Sequence, residues 1–279
     1  MANSYPCKIS VLMGIYNCAP TLKEAIDSIL AQTYTNWELI LCDDCSTDDT
    51  YKIAEEYRQK YPDKIILLKN EKNSRLAFTL NRCLEAATGE FVARMDGDDI
   101  SVNTRFEKQI SFLDEHPQYD MCGTSMRQFQ NTQNGMIFGK TICCPQTPDK
   151  YTQHKTIPFN HATILAKRKV FDVLGGYTVA NRTIRGQDVD LWYRFFKNDL
   201  KGYNIEEPLY FVREEEEAIK RRTFNDRYMS FKTDMFGYGL LEYPKYWYYK
   251  PFINLLKGLV PLKVLMLKNR NSFKKNKKP

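Results

Sequence analysis

The sequence predicts an α/β protein whose mostly parallel sheet is covered by helices on both faces. Over about the first hundred residues, apolar and β-branched runs alternate with amphipathic helical segments, and the links between them are short. This alternation is typical of right-handed βαβ crossovers, which bury an open parallel sheet between two helical layers. The 279 residues are 43% hydrophobic, which suits one large domain with an appended segment.

The strands and helices of this first part are predicted from hydrophobic spacing. Continuous apolar runs predict strands at Lys8–Gly14, Trp37–Cys42, Lys64–Leu68 and Glu90–Met95. Helical spacing predicts helices that begin at Pro20, after the capping segment Ser46–Asp49, and at Leu76.

The pattern of strands and helices loosens after Asp99. A helix is predicted over Arg105–Leu113, and residues 120–165 are expected to mix short strands with polar loops. Another helix is predicted to end at a glycine cap after Leu174, and a further one to begin at Asp188.

Two acidic motifs follow predicted strands. Asp96-Gly97-Asp98-Asp99 comes directly after the fourth strand, and Asp43-Asp44 after the second. Ligands bind beyond the carboxyl ends of the strands in open parallel sheets. Clustered carboxylates repel each other, and a divalent cation that carries a phosphorylated ligand relieves this repulsion. A solvated acidic turn is the alternative, but two acidic strand ends at one edge favour a ligand site.

A third acidic motif, Gly186-Gln187-Asp188-Val189-Asp190, lies about ninety residues after the Asp96 motif. It begins a predicted helix, so the helix N-terminus presents Gln187 and Asp188. Asp188 is a candidate for proton transfer, and a helix-capping carboxylate is the alternative.

In this order and spacing, the motifs resemble those of family 2 glycosyltransferases of the bacterial capsule, exopolysaccharide and O-antigen type. The resemblance runs from about Lys8 to Arg213. It implies the GT-A fold, a Rossmann-like and mostly parallel sheet, here with a C-terminal helical extension. The segments that carry it are Val11–Asn17, Ser28–Tyr34, Asp43–Asp48, Asn73–Ala77, Asp96–Asp99, Leu174–Tyr177 and Gln187-Asp188.

The resemblance implies a nucleotide site at the sheet edge. Tyr16 would stack on uracil, Asp43 would accept a hydrogen bond from the uracil ring N–H, and Arg75 would hold the nucleotide. Asp96 and Asp98 would form the family's DxD motif, which binds the ribose and a Mn²⁺ or Mg²⁺ ion that bridges the two phosphates. Tyr16 and Arg75 could instead be ordinary surface residues.

The resemblance also implies that Asp188 is the catalytic base of an inverting transfer. An acceptor hydroxyl that attacks the anomeric carbon must lose its proton, so a carboxylate within hydrogen-bond reach is needed. Gln187 replaces the acid that the family usually has there. Because Gln187 does not ionise, we expect the pKa of Asp188 to be lower than in relatives with paired acids. Asp190 is a weaker candidate for the same role.

The remaining site residues are expected around the sugar and the diphosphate. Arg213 stands where many relatives have a histidine; its guanidinium could grip a phosphate, which leaves the third metal ligand open. His161, Gly176, Gln187 and Trp192 are expected to line the donor-sugar or acceptor pocket. A purely structural hydrogen bond is the alternative for His161.

The resemblance divides the chain into three parts. Residues 1–110 would form the nucleotide-sugar-binding half, residues 111–215 the acceptor-binding half of the same domain, and residues 216–279 a helical, basic extension.

The C-terminal segment carries the positive charge of the chain. Ten lysines and arginines and no acid follow Tyr243, so the net charge of +7 becomes −3 for the residues before it. The apolar stretch Pro251–Leu267 is interrupted by lysines and a proline, and it is too short and charged to span a bilayer. Aromatic and lysine residues beside an apolar stripe suit an anionic membrane surface. A hairpin packed on the domain, followed by a basic tail, is the alternative.

The expected protein is a cytosolic enzyme on the inner face of the membrane. Residues 1–6 lack the order of a signal peptide, and the eight cysteines suit a reduced compartment. A UDP-sugar donor and a saccharide acceptor linked to polyprenyl diphosphate are the expected partners, and no nucleic-acid motif accompanies the basic tail.

The alternatives are a non-catalytic nucleotide-sugar-binding module and a nucleotidyltransferase, although Gly14–Asn17 lacks the glycine-rich basic loop of the latter.

Overall fold

The computed structural model describes residues 8–133, 135–214 and 224–256, and within these ranges the strands form one mixed sheet. In chain order they are β1 (Ile9–Ile15), β2 (Trp37–Asp43), β3 (Ile65–Lys69), β4 (Phe91–Arg94), β5 (Ile100–Ser101), β6 (Met121–Thr132), β7 (Gly135–Ile142), β8 (Leu165–Lys167) and β9 (Gly202–Arg213). The helices are α1 (Ala19–Leu30), α2 (Thr50–Lys60), α3 (Arg75–Ala86), α4 (Arg105–Glu115), α5 (Thr152–Lys155), α6 (Arg168–Leu174), α7 (Gln187–Lys197), α8 (Phe224–Leu240) and α9 (Tyr249–Leu256).

The order of strands across the sheet is β3-β2-β1-β4-β8-β6-β9-β5, and β7 pairs with the outer part of β6. The first four strands of this order are parallel. The short strand β8 is antiparallel to both of its neighbours, while β6 and β9 are parallel to each other. Two apolar clusters fill the opposite faces, with α1, α2 and α4 on one side and α3, α6, α7 and α8 on the other. The predicted fold class is confirmed.

Most predicted elements of the first hundred residues match the observed ones to within one or two residues. The glycine cap is also confirmed, because Gly175 ends α6 in the left-handed conformation at φ 63°. The expectation of short strands over residues 120–165 was wrong: β6 has 12 residues and β7 has 8. These strands form a hairpin whose outer part is exposed, so burial does not impose an apolar pattern on it.

The C-terminal helices pack on the domain. A glycine of α8, Gly237, lies so close to the ring of Tyr193 in α7 that a Cβ there would overlap the ring. Trp247 stacks on His154 with ring centroids 4.0 Å apart. The predicted helical extension is thus present, and Phe252 of α9 packs on Phe231 of α8.

The basic end of the chain, residues 257–279, lies outside the described residues, as does the N-terminal segment 1–7. The membrane role expected for the basic end therefore stays a prediction. Within the described ranges, no helix combines the length and the apolar character needed to cross a bilayer.

Candidate active site

The ends of the parallel strands bring the acidic motifs together. Ile15 of β1 pairs with Asp43 of β2, so Tyr16 and Asp43 lie at the same edge of the sheet. On the other side of β1, β4 ends at Arg94 and delivers the Asp96 motif to that edge. Helix α7 begins at Gln187 and brings Asp188 close enough to this edge for the charge of Asp96 to act on it.

Tyr16 and Asp43 are placed differently with respect to solvent. The Tyr16 side chain is 48% exposed, as a surface on which a base could stack would require. Asp43 is fully buried, and its carboxylate accepts a hydrogen bond from the Ser46 backbone N–H at 3.2 Å. That bond folds the loop after β2 back toward the strand.

Asp44 holds the loop before α3, a role that sequence reasoning missed. Its carboxylate accepts hydrogen bonds from the backbone N–H groups of Ser74 at 2.7 Å and Arg75 at 2.9 Å. The side-chain amide of Asn70 donates a third bond at 2.7 Å. Arg75 has φ 71°, a left-handed conformation that is strained for a residue with a Cβ. The Asp44 bonds stabilise this strained turn, in which Arg75 is exposed.

Asp96 is tied to the protein by a buried arginine. The Arg94 guanidinium, 1% exposed, forms an ion pair with the Asp96 carboxylate. The Asp96 backbone N–H donates to the Tyr210 hydroxyl at 3.1 Å. A charge inside an apolar strand run is the signal that could have predicted a partner for Arg94, because buried charges are rarely left unpaired.

Asp98 and Asp99 point in opposite directions. Asp98 is exposed, whereas Asp99 is buried and accepts a hydrogen bond from the Arg213 backbone N–H at 2.8 Å. Burial raises the pKa of Asp99 well above its usual value, and the charges of Asp96 and Asp98 raise it further. The Asp99 carboxylate thus joins this loop to β9.

Arg213 is part of this loop's framework. Its side chain donates to the Asp98 carbonyl at 2.7 Å and forms an ion pair with Glu24. The guanidinium also lies 4.5 Å from the ring centroid of Phe129. These contacts place a cation beside Asp98, where it could meet a phosphate.

The carboxylates at this edge suit a metal ion that takes most of its ligands from a bound phosphorylated molecule and water. Among residues 8–133, 135–214 and 224–256, no three His, Cys, Asp or Glu side chains converge as a metal cluster. Asp98 is exposed, and the Asp96 side chain is 35% exposed. Two accessible carboxylates with no third protein ligand fit Mg²⁺ or Mn²⁺ that completes its shell with diphosphate oxygens and water.

The Asp188 carboxyl is desolvated by the protein around it. The residue is partly exposed, yet protein atoms surround its carboxylate. Burial raises the pKa of Asp188, and so does the charge of Asp96, against the lowering effect of two backbone N–H groups and of Arg94. Desolvation acts on Asp188 whether or not residue 187 is an acid. The comparison with relatives that have paired acids at these positions stays a prediction.

Asp190 has a structural role. It is fully buried and paired with Arg182 and, at 2.8 Å, with Arg194. Burial alone would raise the pKa of Asp190, but hydrogen bonds from Thr178, Arg182 and Arg194 outweigh it and lower the pKa. A carboxylate held by two arginines is a poor proton acceptor, so Asp190 serves to fix the loop before α7.

Of the residues expected to line the sugar pocket, His161 and Gln187 are partly exposed near Asp188. His161 Nε2 lies 2.9 Å from the Tyr177 hydroxyl, and burial lowers the pKa of this histidine well below its usual value, helped by the charge of Arg94. A neutral imidazole is therefore expected there.

Trp192 and Gly176 lie behind the cleft. Trp192 is 1% exposed, and its ring packs edge-on to His161 at a centroid distance of 6.0 Å. Gly176 has φ 74°, and a Cβ there would come within 2.7 Å of Asn81 Oδ1. The structure thus gives both residues close packing contacts, and their place in a sugar pocket stays a prediction.

Comparisons with known proteins agree with this geometry. A family model described as Glycosyl transferase family 2 matches residues 10–175. The chain is 49% identical over 222 residues to EpsE of Bacillus subtilis strain 168, by name a glycosyltransferase, with 80% of this chain and 78% of that protein covered.

A second relative has a more specific name. The chain is 38% identical over 196 residues to WfaP of Escherichia coli, named as a UDP-Glc:alpha-D-GlcNAc-diphosphoundecaprenol beta-1,3-glucosyltransferase, with 70% and 73% of the two chains covered. The fold is similar to that of the mannosyltransferase PcManGT of Pyrobaculum calidifontis, solved with GDP-Man and Mn²⁺. The TM-score is 0.64 at 17% identity, over 96% of this chain and 81% of that one.

Proposed function

The chain belongs to glycosyl transferase family 2 and is a glycosyltransferase, and we propose that it moves a hexose from a UDP-sugar to a saccharide acceptor with inversion at the anomeric carbon. The observation that carries this proposal is the position of Asp188. This carboxyl has a raised pKa and lies close enough to the Asp96 motif for the charge of Asp96 to act on it. The family match removes the nucleotidyltransferase alternative.

Asp188 is the proposed general base. The acceptor hydroxyl attacks the anomeric carbon on the face opposite the leaving diphosphate, and its proton passes to the Asp188 carboxylate. A carboxylate with a raised pKa is a stronger base than an exposed one, and it stays ionised when the pH lies above that pKa. Gln187, beside it at the start of α7, is proposed to hydrogen-bond the acceptor or the donor sugar without adding charge.

Asp96 and Asp98 are proposed to hold a divalent cation together with the diphosphate. Enzymes of this fold generally use such metals, and the PcManGT structure holds Mn²⁺. When bound, the metal neutralises negative charge that grows on the leaving diphosphate. Arg94 fixes the orientation of Asp96, and Arg213 keeps the Asp98 backbone in place and offers a guanidinium to a phosphate.

The nucleotide is proposed to lie over β1 and β2. Tyr16 would stack on the base, Asp43 would accept from the uracil N–H, and Arg75 would contact the phosphates or ribose. The exposure of Tyr16 and the adjacency of Asp43 support this arrangement. The choice of uracil rests on the UDP-Glc in the name of WfaP.

The acceptor is proposed to be a saccharide linked to polyprenyl diphosphate, as the name of WfaP specifies for that enzyme. Residues 111–215 would bind its sugar, and residues 1–110 would bind the donor. The enzyme would work at the cytoplasmic membrane surface, with the basic C-terminal end against anionic lipids. His161 would contribute a neutral hydrogen-bonding group to the sugar pocket.

A panel of nucleotide sugars tests this function. UDP-glucose, UDP-GlcNAc, UDP-galactose and GDP-mannose would each be incubated with the protein and Mn²⁺, and nucleotide release would be measured with and without a lipid-linked GlcNAc acceptor. Release of UDP from one UDP-hexose, accelerated by the acceptor, is expected. Release from GDP-mannose alone would contradict the proposed donor.

A further inference from the structure

The loop before the catalytic helix carries two arginines on the side of the cleft that adjoins α8. Arg182 is bound to the buried Asp190, and its guanidinium lies 3.9 Å from the ring centroid of Phe236. The Arg185 side chain is 48% exposed, and its Nε lies 3.2 Å from Asp226 Oδ1. Arg182 is therefore fixed in place, whereas the side chain of Arg185 is half-exposed and forms one ion pair within the part of the chain that the structure describes.

Helix α8 sets the position of this loop. The Thr233 hydroxyl donates to the Arg182 carbonyl at 2.6 Å, and a Cβ at Gly186 would lie 3.5 Å from the same hydroxyl. Asp226, Thr233 and Phe236 are spaced by seven and three residues along α8, so they share the helix face toward the loop. This face of α8 thus holds the loop that leads into Gln187 and Asp188.

Apolar side chains of the same loop and of α8 are open to solvent. Val179 and Ile184 in the loop are 57% and 39% exposed, and Phe236 of α8 is 44% exposed. Apolar surface that adjoins a cation next to a catalytic group suits a ligand with an anionic head and an apolar chain.

The chemistry of the acceptor restricts where its diphosphate lies. In a lipid-linked acceptor the diphosphate is attached to the sugar that presents the attacking hydroxyl, or to a sugar close to it. If one hydroxyl of that ring meets Asp188, the diphosphate lies about one ring width away. Arg75 begins α3 and Arg213 ends β9, and both belong to the proposed donor side. Arg182 and Arg185 belong instead to the loop that leads into α7 and Asp188.

We propose that Arg185, backed by Arg182, binds the diphosphate of the lipid-linked acceptor, and that the polyprenyl chain leaves over Val179, Ile184 and Phe236. This inference rests on the proposed function and adds the acceptor subsite to it. A guanidinium grips two phosphate oxygens at once. Its half-exposed ion pair with Asp226 contributes little, so Arg185 exchanges that partner for the ligand.

Two synthetic acceptors distinguish binding of the diphosphate from binding of the sugar. One is GlcNAc linked through diphosphate to a short prenyl chain, and the other carries an alkyl chain of the same length through a neutral glycosidic bond. Full-length wild-type protein is compared with Arg185→Gln and with Arg58→Gln, a control that also removes an exposed arginine paired with an acid, here Glu55.

Arg185→Gln is expected to raise the KM for the diphosphate acceptor by about tenfold or more, because a charge-assisted bond is lost. The KM for the neutral acceptor and for the donor should stay the same, as should all values of Arg58→Gln. An equal change on both acceptors, or none on the diphosphate acceptor, would overturn the subsite. Absence of transfer by the wild-type protein to either acceptor would instead overturn the proposed function, and the subsite with it.

Asp226→Asn is expected to change the KM for the diphosphate acceptor in the opposite direction. It removes the competing partner of Arg185 and a negative charge near the ligand, so the KM for the diphosphate acceptor is expected to fall. A rise would count against the subsite.

The phosphates of membrane phospholipid headgroups are the other ligand that Arg185 could bind. Vesicles of phosphatidylglycerol and phosphatidylethanolamine test them by sedimentation, and Arg185→Gln should bind these vesicles as the wild-type protein does. A loss of vesicle binding that matches the KM effect would assign Arg185 to the membrane surface and overturn its role in acceptor binding.

Discussion

Asp96, just after β4, lies close enough to Asp188, at the start of α7, for its negative charge to raise the pKa of the Asp188 carboxyl. The larger cause of the raised pKa is burial, and the buried guanidinium of Arg94 opposes both effects. Two motifs about ninety residues apart in the sequence thus meet across one cleft. The proposed mechanism uses this arrangement, with a donor held by one carboxylate and a proton accepted by the other.

The pH profile of transfer follows from the pKa of Asp188. Only the ionised carboxylate accepts a proton, so kcat/KM should fall as the pH drops through a pKa above that of an exposed aspartate, about 3.9. Gln187→Glu adds a neighbouring negative charge and should move this acid limb to still higher pH. Asn198→Asp, at the far end of α7, is the control that should leave the limb in place. If the midpoint of the acid limb is the same in Gln187→Glu as in the wild-type protein, the ionisation of Asp188 does not determine the pH profile.

Asp98→Ala should weaken the binding of UDP in the presence of Mn²⁺ by about tenfold or more, because a charged metal ligand is lost. Without metal, the variant and the wild-type protein should bind UDP alike. Isothermal titration calorimetry with and without Mn²⁺ measures both values, and Asp63→Ala, another exposed aspartate, is the control. If Mn²⁺ improves UDP binding to Asp98→Ala as much as to the wild-type protein, Asp98 is not a metal ligand.

The core of the fold could be predicted because burial dictates it. Strands such as β1 and β2 are buried along their whole length, so their apolar runs stand out in the sequence. The hairpin of β6 and β7 is largely exposed, and its polar residues conceal its length.

The candidate site was predicted only in part, since contacts between distant segments decide the rest. The roles of Asp44 and Asp99 depend on partners 26 to 114 residues away. The raised pKa of Asp188 depends on the packing around α7, which no local motif encodes.

The packing of α8 on α7 predicts a contrast between two glycines of one helix. A Cβ at Gly237 would overlap the Tyr193 ring, so Gly237→Ala should lower the free energy of unfolding by about 1–3 kcal/mol. A Cβ at Gly239 would have no atom closer than 4.0 Å, so Gly239→Ala should be neutral or stabilising by about 0.5–1 kcal/mol. Denaturant unfolding measures both. Equal effects of the two substitutions would contradict the close packing of α7 and α8.

Truncation separates the basic end from the packed helices. A chain that ends at Leu256 should lose binding to anionic vesicles, while the thermal stabilisation by UDP and Mn²⁺ stays the same. A chain that ends at Tyr243 also loses Trp247, which packs on His154, and should melt at a lower temperature. Persistent vesicle binding by the chain that ends at Leu256 would place the membrane contact outside residues 257–279.

The most direct measurement is the transfer rate of Asp188→Asn beside its affinity for UDP. Loss of the general base should lower kcat by about 10²–10⁴-fold, while UDP binding in Mn²⁺ should stay the same because Asp188 is assigned to the acceptor. Its melting temperature should be unchanged or higher, since a carboxyl with a raised pKa is disfavoured when ionised; Asp190→Asn, which breaks two ion pairs, should melt lower. A kcat within a few-fold of the wild-type value would contradict the proposed role of Asp188.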